Sequence, residues 1–265
     1  MKRHHLFEWE DQPWLPVGLR DYLTDHLHFA LGSDQARPLH QAIASVLQPT
    51  MEKLDTREIV DLCSGGGGPL LAVQRYMGAE SNFPTTVTLT DLYPNIAAFE
   101  RAEHGSNGSV RAHRGPVSAV DVPPTLAGIR TLFTAFHHFR PEDARRVLLD
   151  ARLKRCGIAI FEPFERSPRM ARILGLAGIA CGLLLTPKVG RMSFGRFVLT
   201  YVLPVAPAVV AWDGVVSALR SYTVAELREL ADSVGGDDFV WEAGQIPVVT
   251  PVGPMPLTYL VGLPT

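Results

Sequence analysis

Five segments of this 265-residue chain carry side chains whose type and spacing suit chemistry. The densest is 59–68, where a β-branched run reaches Asp61, passes Leu62, Cys63 and Ser64, and enters four consecutive glycines. Glycine has no Cβ to hold a ligand off the backbone, so such a turn at a strand end cradles a nucleotide-type cofactor. About thirty residues on, Thr88-Leu89-Thr90-Asp91-Leu92 ends a second apolar run in a carboxylate, which can accept two hydroxyl donors. His137 and His138 stand side by side, and histidine exchanges protons near neutral pH. Glu162 closes the run 157–161, and Asp213 follows the apolar stretch 197–212. A carboxylate in either place suits proton transfer. Phosphate binding by a P-loop is excluded, because no Lys-Ser/Thr follows the glycines, and they do not form a Gly-x-Gly-x-x-Gly fingerprint.

These residues need strand ends to hold them. The hydrophobic pattern predicts strands at 58–62, 86–90, 130–135 and 157–161, with a further one inside 110–120 that polar residues and Pro116 blur. Helices are expected between them at 69–77, 95–103 and 141–153, the last with Pro141 in its first turn, where a missing N–H costs nothing. A helix at 226–233, opened by the capping-box pattern Thr223-Val224-Ala225-Glu226, leads into strands at 238–243 and 257–262. The whole reads as an α/β fold, a doubly wound, mainly parallel seven-stranded sheet. Upstream, apolar spacing predicts a helix over 34–47, stopped by Pro49. Four regions follow: an N-terminal helical arm or lid (1–50), a cofactor-binding core (51–163), an inserted apolar cap after strand five (164–221), and a C-terminal segment completing the sheet (222–265). In open α/β sheets the ligand crevice lies at the carboxyl ends of the strands, where the cap falls. The aromatics Phe7, Trp9 and Trp14 are expected to fold over it.

The glycine segment is similar to the acid-x-Gly-x-Gly-x-Gly loop of the class I S-adenosylmethionine-dependent methyltransferases, with Asp61, Gly65 and Gly67 at the acid and the last two glycine positions. The resemblance covers residues 57–163 and returns at 222–262. It implies a Rossmann-like fold and S-adenosylmethionine as cofactor. It places Asp61, Cys63, Ser64, Gly65 and Gly67 of the loop around that cofactor, Asp91 with Leu92 at the ribose, Asp121 and Val122 beside the adenine, and Ala135 at the end of strand four. It also implies methyl transfer, with a strand-end base among His137, His138, Glu162 and Asp213 where the acceptor carries a proton. Consecutive residues of an extended segment point to opposite sides, so one histidine of the pair is expected to pack away from the ligand. Cys63 departs from the family pattern by occupying the first glycine position. Asp61-Leu62-Cys63 also resembles RNA-modifying relatives, but neither Cys156 nor Cys181 lies where a thiolate would be activated. The rivals to methyl transfer are an enzyme that keeps the cofactor site for another reaction and a non-catalytic partner subunit.

Composition narrows the partners. A net charge of −2 gives no global attraction to phosphate backbones, so no nucleic acid is expected. Three widely spaced cysteines offer neither a disulfide framework nor a Cys-x-x-Cys pair, and His137-His138 lacks spaced partners, so no metal is expected. The first ten residues carry cations with no apolar run behind them; no signal peptide is expected, and the cytoplasm is the expected compartment. The uncharged runs 173–186 and 197–212 fall short of the roughly 20 residues that span a bilayer, and the second holds Pro204 and Pro207. Cap helices over a greasy pocket are expected, with an apolar or aromatic small molecule as acceptor and oxygen ahead of nitrogen or carbon. A homodimer interface and a peripheral membrane contact are the other uses open to the cap.

Overall fold

The chain is described by a computed structural model over residues 1–189, 192–250 and 253–265. Among the described residues seven strands form one sheet in the order β3-β2-β1-β4-β5-β7-β6. Strands β1 (Glu58–Asp61), β2 (Thr86–Leu89), β3 (Val110–Ala112), β4 (Ile129–Phe133) and β5 (Ile158–Glu162) run parallel. The last two, β6 (Phe239–Thr250) and β7 (Gly253–Pro264), form a hairpin whose β7 pairs antiparallel with β5. Every residue of β4 and β5 is buried, including Arg130 and Thr131 of β4, whose side chains bond Asp150 and Asp61.

Helices cover both faces. In β1, Ile59 packs into a core shared with α2 (Arg37–Lys53), α3 (Leu70–Glu80) and Phe99 of α4 (Ile96–His104). Its neighbour Val60 faces the opposite core, built with α5 (Pro141–Leu153) and α9 (Val224–Val234). This alternation is the two-residue period of a strand set between two helical layers. The cap consists of α6 (Pro168–Leu184), the short α7 (Phe194–Phe197) running into a π-turn at Val198–Val202, and α8 (Val205–Arg220). The N-terminal sixteen residues form turns without regular structure, and α1 (Val17–Gly32) follows them.

Three boundaries differ from expectation. The helix expected to stop at Pro49 continues to Lys53. Proline removes one bond of the helical ladder, but Leu47, Thr50 and Met51 are buried on either side of it, and that packing holds the last turn. This makes α2 part of the core rather than of an arm. The closing strands are longer than the sequence indicates, because Pro247 and Pro256 look like breakers. They are register partners, and β5 pairs only with 258–262, so both prolines sit on unpaired edges where proline is tolerated.

Candidate active site

The glycine segment leaves β1 at its carboxyl end. The backbone carbonyl of Asp61 accepts from Thr90 N–H, Thr90 Oγ1 and Ser64 Oγ, which folds the loop back onto β2. The Asp61 carboxylate accepts from Thr131 Oγ1 at 2.8 Å, and burial pushes it up to about 7. Cys63, Gly65, Gly67 and Gly68 have φ of 56°, 55°, 93° and 41°, in the left-handed region. Glycine adopts it freely; Cys63 does so against its Cβ, and burial raises its thiol well above the usual range. Gly65 N–H donates to Asp91 Oδ2 at 2.8 Å and Tyr93 N–H to Asp91 Oδ1 at 2.9 Å. Each carboxylate oxygen keeps a lone pair for a ligand hydroxyl. Leu92 is exposed beside it. Helix α1 lies across the loop: a Cβ on Gly66 would sit 3.6 Å from the Thr24 carbonyl oxygen and 3.7 Å from His28 Cβ. The result is a backbone cradle with a carboxylate at its rim.

Asp121 and Val122 do not join it. Asp121 pairs with Lys154 at 2.8 Å, and Val122 N–H donates to Asp150 near the end of α5. That is the edge where strands begin, opposite the glycines, so the assignment beside the adenine is corrected. What lies next to Asp91 is Pro116-Val117, whose Val117 N–H donates to the Asp91 carbonyl; it brings no carboxylate.

At the end of β4, beside β1, Thr134 has φ 53°. The two neighbouring strands thus both leave the sheet through a strained non-glycine residue, a feature that concentrates at ligand sites. Thr134 faces the cavity described below, one residue before the expected Ala135, which is buried. The segment Phe136–His138 is then a 3-10 turn rather than extended, so both histidines point into one nest, their ring centroids 4.3 Å apart. The expectation that one packs away is corrected.

Within the nest, Glu162 at the end of β5 accepts from His137 N–H at 3.1 Å with one oxygen and from His137 Nδ1 at 2.9 Å with the other. Because a carboxylate only accepts, Nδ1 carries a proton toward Glu162. Nε2 is buried, has no hydrogen-bond partner among the described residues, and lies 3.8 Å from Glu8 Oε1. His138 Nδ1 lies 2.6 Å from Asp11 Oδ1 and 3.3 Å from Glu8 Oε2. Burial opposes its charge, but Glu8, Asp11 and Glu10 outweigh burial and push His138 up to about 10. The fully buried Arg220 guanidinium reaches Asp11 at 2.6 Å and Glu8 at 3.4 Å. Asp213 accepts the backbone N–H of Trp9 and Glu10, clamping the N-terminal segment onto α8; burial pushes both Asp213 and Glu10 up to about 7.

These groups border a cavity of about 560 Å³ whose wall is mostly apolar, with Leu27, Phe164, Leu174 and Val210 from α1, β5's exit and the cap. Thr250 and Met255 of the β6–β7 hairpin close one side. Glu8, His137 and His138 offer one ligand atom each within 4.8 Å of one another, a spacing that suits a cation. Arg220 and His138 already place positive charge there. The sequence had no signal for this grouping: Glu8 and Asp11 reach His138 and Arg220 across more than a hundred residues. The N-terminal aromatics expected over the crevice lie outside it instead, with Phe7 tilted against Trp212 and Trp14 edge-to-face with Trp9.

No protein-family model matches the chain, and no curated protein matches it in sequence. In structure it is similar to the methyltransferase domain of bacterial CtHen1, with a TM-score of 0.50 and 11% identity over 87% of this chain and 100% of that one. It is also similar to the plantazolicin methyltransferase BpumL in complex with SAH (TM-score 0.47, 11% identity, 94% and 98% covered) and to TnmH (0.43, 22%, 85% and 56%). The chain spans about half the length of several such structures, 46% and 50% in two cases. The fold is that of the class I methyltransferases.

Proposed function

We propose that this chain transfers a methyl group from S-adenosylmethionine to a hydroxyl of an apolar small molecule, with His137 as the base that takes the acceptor's proton. The observation that carries this reading is the buried Nε2 of His137, without a hydrogen-bond partner among the described residues, on a ring backed by Glu162 at Nδ1 in a residue that lines an apolar cavity at the strand ends. The donor fits the residues present: the loop leaves β1 through left-handed glycines, its Gly65 N–H engages Asp91, and Asp91 has lone pairs free for ribose hydroxyls. S-adenosylmethionine supplies a methyl already activated on a sulfonium.

The protein's part is positioning and proton removal. His137 Nε2 accepts the hydroxyl proton, and Glu162 holds the resulting imidazolium in place. A positioned base of this kind contributes about 10²–10⁴-fold. The other candidates take different roles. His138 is held protonated by its acidic neighbours and so has no free base. Both Glu162 oxygens are engaged by His137, and Asp213 clamps the N-terminal segment. An acceptor without charge is favoured because the wall gives it little beyond apolar contact.

Incubating the protein with methyl-labelled S-adenosylmethionine and a panel of phenols, aliphatic alcohols, amines and charged metabolites tests this. Label is expected on the oxygen of apolar hydroxyl compounds. Label only on charged acceptors, or only on nitrogen or carbon, contradicts the reading.

A further inference from the structure

The cap has a second face. Its inner side lines the cavity, while its outer side leaves large apolar groups in solvent: Leu176 and Leu184 of α6 are each 72% exposed, and Phe194 of α7 is 85% exposed. Val202 and Leu203, at the bend between the π-turn and α8, are exposed as well. Trp212 extends this surface along α8 to Phe7, with ring centroids 5.5 Å apart. Contiguous exposed apolar area of this kind marks an interaction surface.

Charge indicates what covers it. Between 166 and 212 the sequence has Arg166, Arg169, Arg172, Lys188, Arg191 and Arg196 and no Asp or Glu, in a chain whose net charge is −2. Arg166 and Arg196 turn inward to Glu226 and Asp25. Exposed Arg172, Leu176 and Ile179 follow one face of α6 at i, i+4 and i+7, exposed Leu184 ends the helix, and exposed Lys188 lies in the turn beyond it. Apolar and aromatic groups flanked by cations, without acids, suit the headgroup region of an anionic bilayer. A second copy of the chain would bring the same cations together with no acid in this segment to meet them. Helices α6 and α8 hold this face as one unit: a Cβ on Gly178 would lie 2.6 Å from Ala211 Cα, and one on Gly182 2.8 Å from Pro207 Cα.

We infer that the outer face of the α6–α8 cap seats this protein on an anionic lipid bilayer surface. It rests on that surface and does not cross it. No single described helix is long and apolar enough to span; the one bent pair that qualifies by composition, Phe194–Val202 with Val205–Arg220, turns by 69°. The far end of α8 is also locked in the nest through Asp213 and Arg220.

The test is co-sedimentation of the full chain with vesicles of phosphatidylcholine alone or mixed with phosphatidylglycerol. Binding to the anionic vesicles is expected to be about ten-fold tighter or more, and to weaken with salt. The Phe194→Asp/Val202→Asp double variant is expected to lose about ten-fold or more of that binding with an unchanged melting temperature, since both side chains are exposed. Arg172→Glu tests the charge separately and is expected to weaken binding to anionic vesicles alone. Absence of binding to anionic vesicles overturns the inference, as does wild-type binding by the double variant. So does a dimer, seen by light scattering, that the double variant dissociates while vesicles leave the protein in the supernatant; that result assigns the face to a second copy. The readout needs neither cofactor nor acceptor, so its failure leaves the proposed methyl transfer standing, and the reverse.

Discussion

The glycine loop and the charged nest lie at the ends of neighbouring strands, yet they are built by opposite means. The loop is local. Asp61, Ser64, Thr90 and Asp91 hold one another through backbone bonds between two adjacent parallel strands, and the recognising surface is mostly main chain with one carboxylate. The nest is assembled from afar. Residues 8–11, 137–138, 162 and 213–220 meet there, and its surface is made of buried side-chain charges that satisfy one another. A main-chain cradle tolerates change in side chains but little change in backbone. A charge nest has the reverse sensitivity. The same contrast separates the two halves of the proposed reaction, since the cradle side would hold a fixed donor and the nest side a variable acceptor.

Substitutions can break this contrast at either end. The largest effect is expected from His137→Asn, which keeps a hydrogen-bonding group toward Glu162 but removes the base. Turnover should fall by about 10²–10⁴-fold while affinity for the demethylated cofactor stays within a few-fold, measured by labelled-methyl assay and calorimetry. Arg220→Gln comes next. It leaves Glu8 and Asp11 uncompensated in a buried place, and denaturant unfolding should show a loss of about 3–5 kcal/mol.

A smaller effect concerns pH. Burial raises Asp213 from an ordinary carboxylate value to about 7, so the folded state holds its proton more tightly than the unfolded chain does. Its stabilising contribution is therefore complete below about pH 4 and is lost as pH rises through about 7. Asp213→Asn removes this loss: relative to wild type it should gain on the order of 1–2 kcal/mol between about pH 5 and pH 8, measured by unfolding at both values. No gain across that window would show that Asp213 is ionised throughout. The smallest change belongs to the loop. Cys63→Gly relieves a left-handed backbone worth about 1–2 kcal/mol but adds flexibility to the unfolded chain, so the melting temperature should barely move and cofactor affinity should be equal or better. A large loss of affinity would give the thiol a role.

What the sequence disclosed follows the same division. Asp61, the glycines and Asp91 were legible because strand, turn and acid follow one another within about thirty residues and each obeys a local rule. The sheet itself was legible from alternating apolar runs, including the capping box at Thr223 and Glu226, which both of its bonds confirm. Asp121 misled because an acid before Val122-Pro123-Pro124 looks the same in sequence whether it faces the ligand edge or the opposite one; only the path from β3 to β4 decides. Glu8, Asp11 and Arg220 had no local signature, since each is placed by contacts more than a hundred residues away. Thr134 was passed over for Ala135 because a left-handed φ in a threonine has no sequence signal. The lengths of β6 and β7 were hidden by two prolines that only the register shows to be on free edges.

The most direct test of the account is a calorimetric titration of S-adenosylhomocysteine into three proteins: wild type, Asp91→Ala and His137→Asn. One site is expected in wild type. Asp91→Ala should weaken it by about 10–100-fold, the value of lost charge-assisted hydrogen bonds of about 1.5–3 kcal/mol, and His137→Asn should leave it near wild type. No binding by wild type, or equal weakening by the two variants, would contradict a donor cradle on the glycine loop separate from an acceptor base at His137.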